Sequence, residues 1–186
     1  MRIIAGKFKG RTITTSAPSG VRPTTDRARE TIFNILNTLI DFEGIRVLDL
    51  CAGTGALGLE ALSRGAEYCC FVELSHITAN LLHKTLVQFT VEPSQYNVVT
   101  MDSRLFVSKF SRSAGQPFDL IFTDPPYKNK LINPLFKLLK ENQLLVDGGL
   151  FVAEHDIREI VLQPEGFEKI NTRQFGETVV DFFGMD

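Results

Sequence analysis

The residues best placed to do chemistry in this 186-residue chain are Asp124, Pro125, Pro126 and Tyr127, which follow the apolar run at 118–123 without a break. An exocyclic amine on a nucleobase is a poor nucleophile because its lone pair is delocalised into the ring. It becomes reactive when acceptors hold both hydrogens out of the ring plane, and the Asp124 carboxylate with the Pro125 carbonyl supplies two. Pro126 lacks an N–H and has a locked φ, so the turn is stiff. Tyr127 offers a flat face on which an extruded base stacks, a contact worth ~1–3 kcal/mol in single-strand recognition. Alignment of the nitrogen with a methyl donor then supplies rate through positioning and electrostatics. By itself the tetrapeptide also reads as a proline-stiffened turn with a surface tyrosine. Its place at a strand end, where open α/β sheets bind ligands, favours the chemical reading.

A second constellation lies upstream. Val47-Leu48-Asp49-Leu50-Cys51-Ala52-Gly53-Thr54-Gly55-Ala56-Leu57-Gly58 reads as a buried strand, a tight glycine turn and a helix start. Gly53, Gly55 and Gly58 match the dinucleotide fingerprint in spacing, which alone is a weak signal. Glu73 ends the next strand, where a carboxylate accepts both ribose hydroxyls of a nucleoside, and Leu74 stands beside it. This geometry serves NAD and S-adenosylmethionine alike. Asp49 favours the latter, since a carboxylate at the mouth of the first strand is awkward near a pyrophosphate and useful near a cationic methionine end. Asp102, followed by Ser103, ends the third strand and either accepts from an adenine amino group or caps the next helix. An NAD-dependent oxidoreductase leaves Asp124 to Tyr127 unexplained.

Positioning these residues requires strands that end at one edge. Short apolar runs at 45–50, 68–73, 97–101, 118–123 and 150–154 alternate with helical patterns, which predicts a parallel sheet covered on both faces. Residues 167–183 read as a hairpin turning at Gly176-Glu177. Ahead of the sheet, residues 2–15 suit a short β-hairpin. A helix follows with Thr24 or Thr25 as cap and Ile32, Ile35, Leu36, Leu39 and Ile40 on its apolar face. Arg29 continues that face, pointing either inward at a site or along the surface to water.

Composition sets the bounds. A chain of this length suits one domain and buries roughly 70% of its unfolded surface. With 44% hydrophobic and 23% charged residues it reads as globular rather than disordered. No apolar run reaches the ~20 residues of a membrane span. MRIIAGKFKGR at 1–11 lacks the apolar stretch of a signal peptide, which predicts a cytoplasmic domain with no membrane partner. Cys51, Cys69 and Cys70 lack metal-ligand spacing and read as small buried residues, so no metal is expected. The net charge of −2 is unevenly spread. Residues 1–29 carry Arg2, Lys7, Lys9, Arg11, Arg22, Arg27 and Arg29 against Asp26, a net +6, which leaves −8 on the remainder. That basic arm is a footprint for phosphate, or else a solvated surface. His155 reads as a satisfied structural histidine or a neighbour of the base, and His76 and His83 as helix-surface residues. None is expected to act as a general base, because the amine loses its proton only after methyl transfer.

These pieces together resemble the RsmD family of bacterial methyltransferases, which modify the exocyclic amine of a guanine in 16S ribosomal RNA. The likeness is carried by MRIIAGKFKGR at 1–11, VRPTTDRARETIFN at 21–34, LDLCAGTGALGLEALSRGA at 48–66, FVEL at 71–74, DPPY at 124–127 and AEHD at 153–156. The resemblance implies a Rossmann-like class I S-adenosylmethionine-dependent methyltransferase fold. Its sheet is seven-stranded and mostly parallel with one reversed strand, preceded by an N-terminal β-hairpin and helix. It implies one domain over residues 1–186 with residues 1–29 as a basic RNA-binding extension, and S-adenosylmethionine as donor. Asp124, Pro125, Pro126 and Tyr127 are then catalytic, while Asp49, Gly53, Gly55, Glu73, Leu74, Asp102 and Ser103 bind the cofactor. Lys7, Lys9, Arg11, Arg22, Arg27 and Arg29 contact RNA, as part of 16S ribosomal RNA or a small-subunit assembly particle, and the protein acts as a monomer. Cys51, Ser75 and Thr85 depart from the usual Phe, Asp and Asn. An adenine-N6 amino-methyltransferase acting on RNA or DNA uses the same tetrapeptide; on DNA its mark is a target-recognition domain, for which the chain has no room.

Overall fold

Apolar runs that are hydrophobic on both faces must be covered on both faces, and the computed structural model shows how. It describes residues 1–13, 26–110, 115–125 and 131–186. Seven strands, β1 (Arg46–Leu50), β2 (Tyr68–Glu73), β3 (Tyr96–Thr100), β4 (Phe118–Thr123), β5 (Leu145–Asp156), β6 (Phe167–Phe175) and β7 (Thr178–Met185), form one sheet in the order β3-β2-β1-β4-β5-β7-β6. The first five are parallel, and β7 runs antiparallel to both β5 and β6, so it is the reversed strand. β1 lies between β2 and β4, which is the switch point where open sheets place ligands.

Alternation along each strand sorts side chains into two cores. Val47, Cys69, Phe71, Leu120, Phe122, Leu150 and Val152 share one core with residues of α1 (Asp26–Leu39), α2 (Ala56–Arg64) and α3 (His76–Gln88). Leu48, Leu50, Cys70, Val72, Ile121, Phe151 and Ala153 share the other with α4 (Ser103–Lys109) and α5 (Ile132–Glu141). Phenylalanine does much of the filling: the Phe136 ring packs edge-on against Phe151, Phe167 and Phe183 at centroid distances of 5.2, 5.1 and 4.8 Å. Each such buried ring contributes roughly 1.5–3 kcal/mol.

Two boundaries differ from the pattern. β5 begins at Leu145, five residues before the expected start. The extra residues around Asp147-Gly148-Gly149 are taken up as a bulge: Phe118 pairs with Leu145 and Leu120 with Leu150. The N-terminal hairpin is short among the described residues: an antiparallel bridge joins Arg2 and Thr12, with Ile3 N donating to Arg11 O, Gly10 N to Ile3 O and Ile13 N to Met1 O. The reason is competition for backbone donors. The amides of Ile4, Ala5, Lys7 and Phe8 bond to Glu60 and Ser63 of α2 instead of to an opposite strand. Ile3, Phe8 and Ile13 are buried, so residues 1–13 are part of the core rather than a free arm. Among the described residues no helix is long and apolar enough to cross a membrane, and no group of acidic, His or Cys residues is arranged to hold a metal.

Candidate active site

The site begins where β1 ends. Asp49 shares the face of Val47, is 2% exposed, and its Oδ2 accepts from Gly58 N at 3.0 Å. That bond ties the carboxylate to the first turn of α2, where helix dipoles favour an anion. Burial nevertheless pushes the Asp49 carboxyl up to about 8, against the pull of the Gly58 bond and with the charge of Glu73 adding to it. Gly58 itself has no room for a side chain, since a Cβ there would lie 2.3 Å from Phe71 Cε1.

Glu73, at the end of β2, accepts from Gly53 N through Oε2 (2.9 Å) and from Ser75 N through Oε1 (2.8 Å). It therefore pins the glycine turn and keeps second lone pairs on both oxygens for a diol. Ser75 caps α3 by accepting from Thr78 N at 3.3 Å, so a serine serves there as well as an aspartate would. Leu74 is 68% exposed at this rim. Asp102 is the cap of α4, its Oδ1 taking both Arg104 N (2.9 Å) and Leu105 N (3.1 Å). Ser103 Oγ lies 3.1 Å from Cys51 Sγ. Cys51 differs from the buried Cys69 and Cys70: it is half-buried at the cleft with φ 63°, because the chain has already left the strand. Burial raises its thiol to about 11.

Asp124 and Pro125 leave β4 at the same edge, and Pro126 and Tyr127 lie outside the described residues. Register defines what Asp124 meets. Asp49 pairs with Phe122, Phe122 with Val152, and Phe71 with Asp49. Two residues further along each strand come Glu73, Asp124 and Glu154, so period-two alternation sets four acids on the α1–α3 face of one edge. The Asp124 carboxyl stands well above the usual range, first from burial, then from the charges of Glu154 and Asp49. Such an edge suits a cationic ligand, whose charge relieves that repulsion, and a sulfonium carrying an ammonium fits it. Glu154 is 5% exposed and was not among the expected site residues. It stands two positions past Val152 in a run that is apolar up to that point, and only the pairing of β5 with β4 gives that position its meaning.

The basic segment divides. Lys7, Lys9, Arg11 and Arg27 are exposed, and Arg22 lies outside the described residues together with Thr24 and Thr25. Lys7 Nζ donates to Gln95 Oε1 at 3.3 Å, and Arg11 Nη1 to Phe89 O at 2.9 Å with its guanidinium over the Phe8 and Phe89 rings. Arg29 is a correction to the expected RNA-facing set. It is fully buried, donating through Nη2 to Arg2 O and to Asp26 Oδ1 at 2.9 Å, and so ties the N-terminal loop to α1. α1 lays the face of Arg29 on the core, which removes it from solvent. His155 projects to the face opposite the acids. Its Nε2 is 3.2 Å from Asp181 Oδ2 and its Nδ1 3.0 Å from Asp156 O. Asp181 also accepts from Lys169 Nζ (2.7 Å) and Thr172 Oγ1 (2.6 Å). Burial would raise its carboxyl, but those partners outweigh it and bring it to about 2. His76 and His83 are exposed on α3.

Known proteins resemble this chain along most of its length. The family described as conserved hypothetical protein 95 matches residues 1–184. The YlbH protein of Bacillus subtilis is 39% identical over 176 residues, covering 94% of this chain and 92% of its own. Ribosomal RNA small subunit methyltransferase D of Haemophilus influenzae is 36% identical over 177 residues, covering 95% and 89%. Among solved structures, YhhF of Escherichia coli superposes with a TM-score of 0.86 at 29% identity, covering 100% of this chain and 98% of that one. A more distant chain complexed with SAH shares the fold at a TM-score of 0.66 and 19% identity, covering 82% of this chain and 48% of its own.

Proposed function

This chain belongs to the RsmD family of methyltransferases, and from that premise we propose that it methylates the exocyclic N2 amine of a guanine in 16S ribosomal RNA, with S-adenosylmethionine as donor. The observation that carries the reading is the row of acids on one face of the sheet edge, with Asp124 at the end of β4 two strand positions beyond the partner of Asp49. When bound, the cofactor supplies an electrophilic methyl group. Glu73 accepts its ribose hydroxyls, Asp49 faces its cationic end, and Leu74 and Ser103 line its base. Asp124 and the Pro125 carbonyl accept the two amine hydrogens and turn the nitrogen lone pair toward the methyl, while Tyr127 stacks on the guanine. Asp124 then takes the proton that the methylated nitrogen releases. Lys7, Lys9, Arg11 and Arg27 hold phosphates, as part of an RNA-binding segment within residues 1–29, on a monomer working in the cytoplasm on ribosomal RNA or an assembling small subunit.

Asp124→Ala tests the assignment. Single-turnover transfer of labelled methyl to 16S ribosomal RNA should be lost, while S-adenosylmethionine affinity stays within a few-fold because the carboxylate is assigned to the amine. Near-normal transfer by this variant overturns the mechanism. Mapping methylated nucleotides in ribosomal RNA from cells with and without the protein identifies the base and the atom.

A further inference from the structure

Glu154 has no part in the scheme above, yet it is the acid closest in register to Asp124. Thr123 pairs with Ala153 across β4 and β5, so the next residue on each strand, Asp124 and Glu154, stands side by side on the α1–α3 face. Glu154 also pairs with Val180 of β7, which fixes its backbone from the other side. At 5% exposure it sits where a second negative charge is costly, so its carboxylate makes a neighbouring acid take up a proton more readily than that acid would alone.

We propose that Glu154 is a positioning residue for methyl transfer: its carboxylate stands beside Asp124, and the like charge makes Asp124 the stronger acceptor for the proton that the methylated amine releases. This rests on the assignment of Asp124 given above. In the step, the nitrogen lone pair forms the N–C bond and the electrons of the broken C–S bond stay on sulfur. Asp124 then accepts one proton from the cationic nitrogen, whose N–H electrons return to nitrogen. The pair passes from no proton to one, and that proton leaves to water as the product departs.

Among the described residues, the charged groups around Asp124 are few. Asp49 faces it from β1, with Glu73 behind Asp49 and the Cys51 thiol in the following turn. α1 sends Arg29 into this face, but that guanidinium bonds Asp26 and the Arg2 carbonyl. His155 is on the opposite face, engaged with Asp181. Among the described residues, Glu154 and Asp49 are the charges that raise the Asp124 carboxyl once burial has acted.

The test is the pH profile of single-turnover methyl transfer to 16S ribosomal RNA from cells lacking the protein, with enzyme in excess. Glu154→Gln removes the like charge and keeps the shape, so the acidic limb should move down by about one pH unit or more. Glu154→Asp, which draws the carboxyl back by one methylene, should move it in the same direction by less, and it serves if the Gln variant does not fold. An acidic limb that stays at the wild-type pH in a folded variant, whatever its height, overturns the proposal and leaves Glu154 a structural residue. Asp124→Ala run beside them separates the two ideas: if it transfers methyl normally, the assignment of Asp124 has failed, and the position of the limb says nothing in favour of Glu154.

Discussion

Replacing Glu60 by Gln should release the N-terminal loop at a cost that the structure allows to be worked out. Glu60 is fully buried on α2, accepting from Ile4 N (2.8 Å) through Oε2 and from Ala5 N (3.0 Å) and Arg64 Nε (2.9 Å) through Oε1. Gln keeps the shape but has one acceptor. If its oxygen stays with Ala5 and Arg64, its amino group faces the Ile4 N–H and leaves a buried donor unsatisfied, a loss of about 1–3 kcal/mol. The Ala5 bond falls from charge-assisted to neutral and the Arg64 contact loses its ion pair, a further ~1 kcal/mol each at most. A total of about 3 kcal/mol predicts a drop in Tm of ~6–12 °C for a domain of this size. The opening should be local first, because the donors lie in residues 1–13 and the strands do not depend on them. Hydrogen exchange should show lost protection at Ile3, Lys7 and Phe8, whose amides are bonded here, before any change in β1 or β4. Gly6→Ala offers an independent route to the same state, since a Cβ there, at φ 78°, would lie 1.7 Å from the Ser63 carbonyl oxygen. A Glu60→Gln protein that unfolds within about 0.5 kcal/mol of wild type, the tolerance usual for surface changes, with the loop still protected, refutes this account.

Two further outcomes follow from charge. Lys7→Ala, Lys9→Ala and Arg11→Ala combined should weaken ribosomal RNA binding and flatten its salt dependence by up to roughly 0.7–0.9 in slope for each phosphate interaction removed, with cofactor binding unchanged; normal binding at several salt concentrations shows the segment to be a solvated surface. Asp49 holds its proton up to about pH 8 in the folded chain against 3.8 unfolded, so the folded state binds more protons across that window and Asp49 lowers stability as pH rises through it. Asp49→Asn should flatten that fall. Binding of S-adenosylmethionine near pH 7 should release a proton from Asp49, read by calorimetry in buffers of different ionisation enthalpy, and the same release in the Asn variant refutes the assignment.

The order of elements and the edge that carries the candidate site were legible in the chain itself, because period-two runs and turn residues are local properties. β1, β2 and β4 begin and end within a residue of their apolar runs, and Asp49, Glu73 and Asp124 stand at strand ends as those runs require. The carboxylate of Asp102 was equally readable as a helix cap, since a cap needs only the amides two and three residues on. Other features depended on partners far along the chain. Nothing near Ile4 or Lys7 says that their amides bond to α2 some 56 residues away, which shortens the expected hairpin and docks its turn on that helix. Arg29 could point inward or outward on its own helix, and only the packing of α1 under residues 1–3 buried it. Glu154 is the sharpest case: an acid after four apolar residues has no meaning until β5 pairs with β4. Sheet register, a long-range property fixed by side-chain packing across strands, is what brings it level with Asp124.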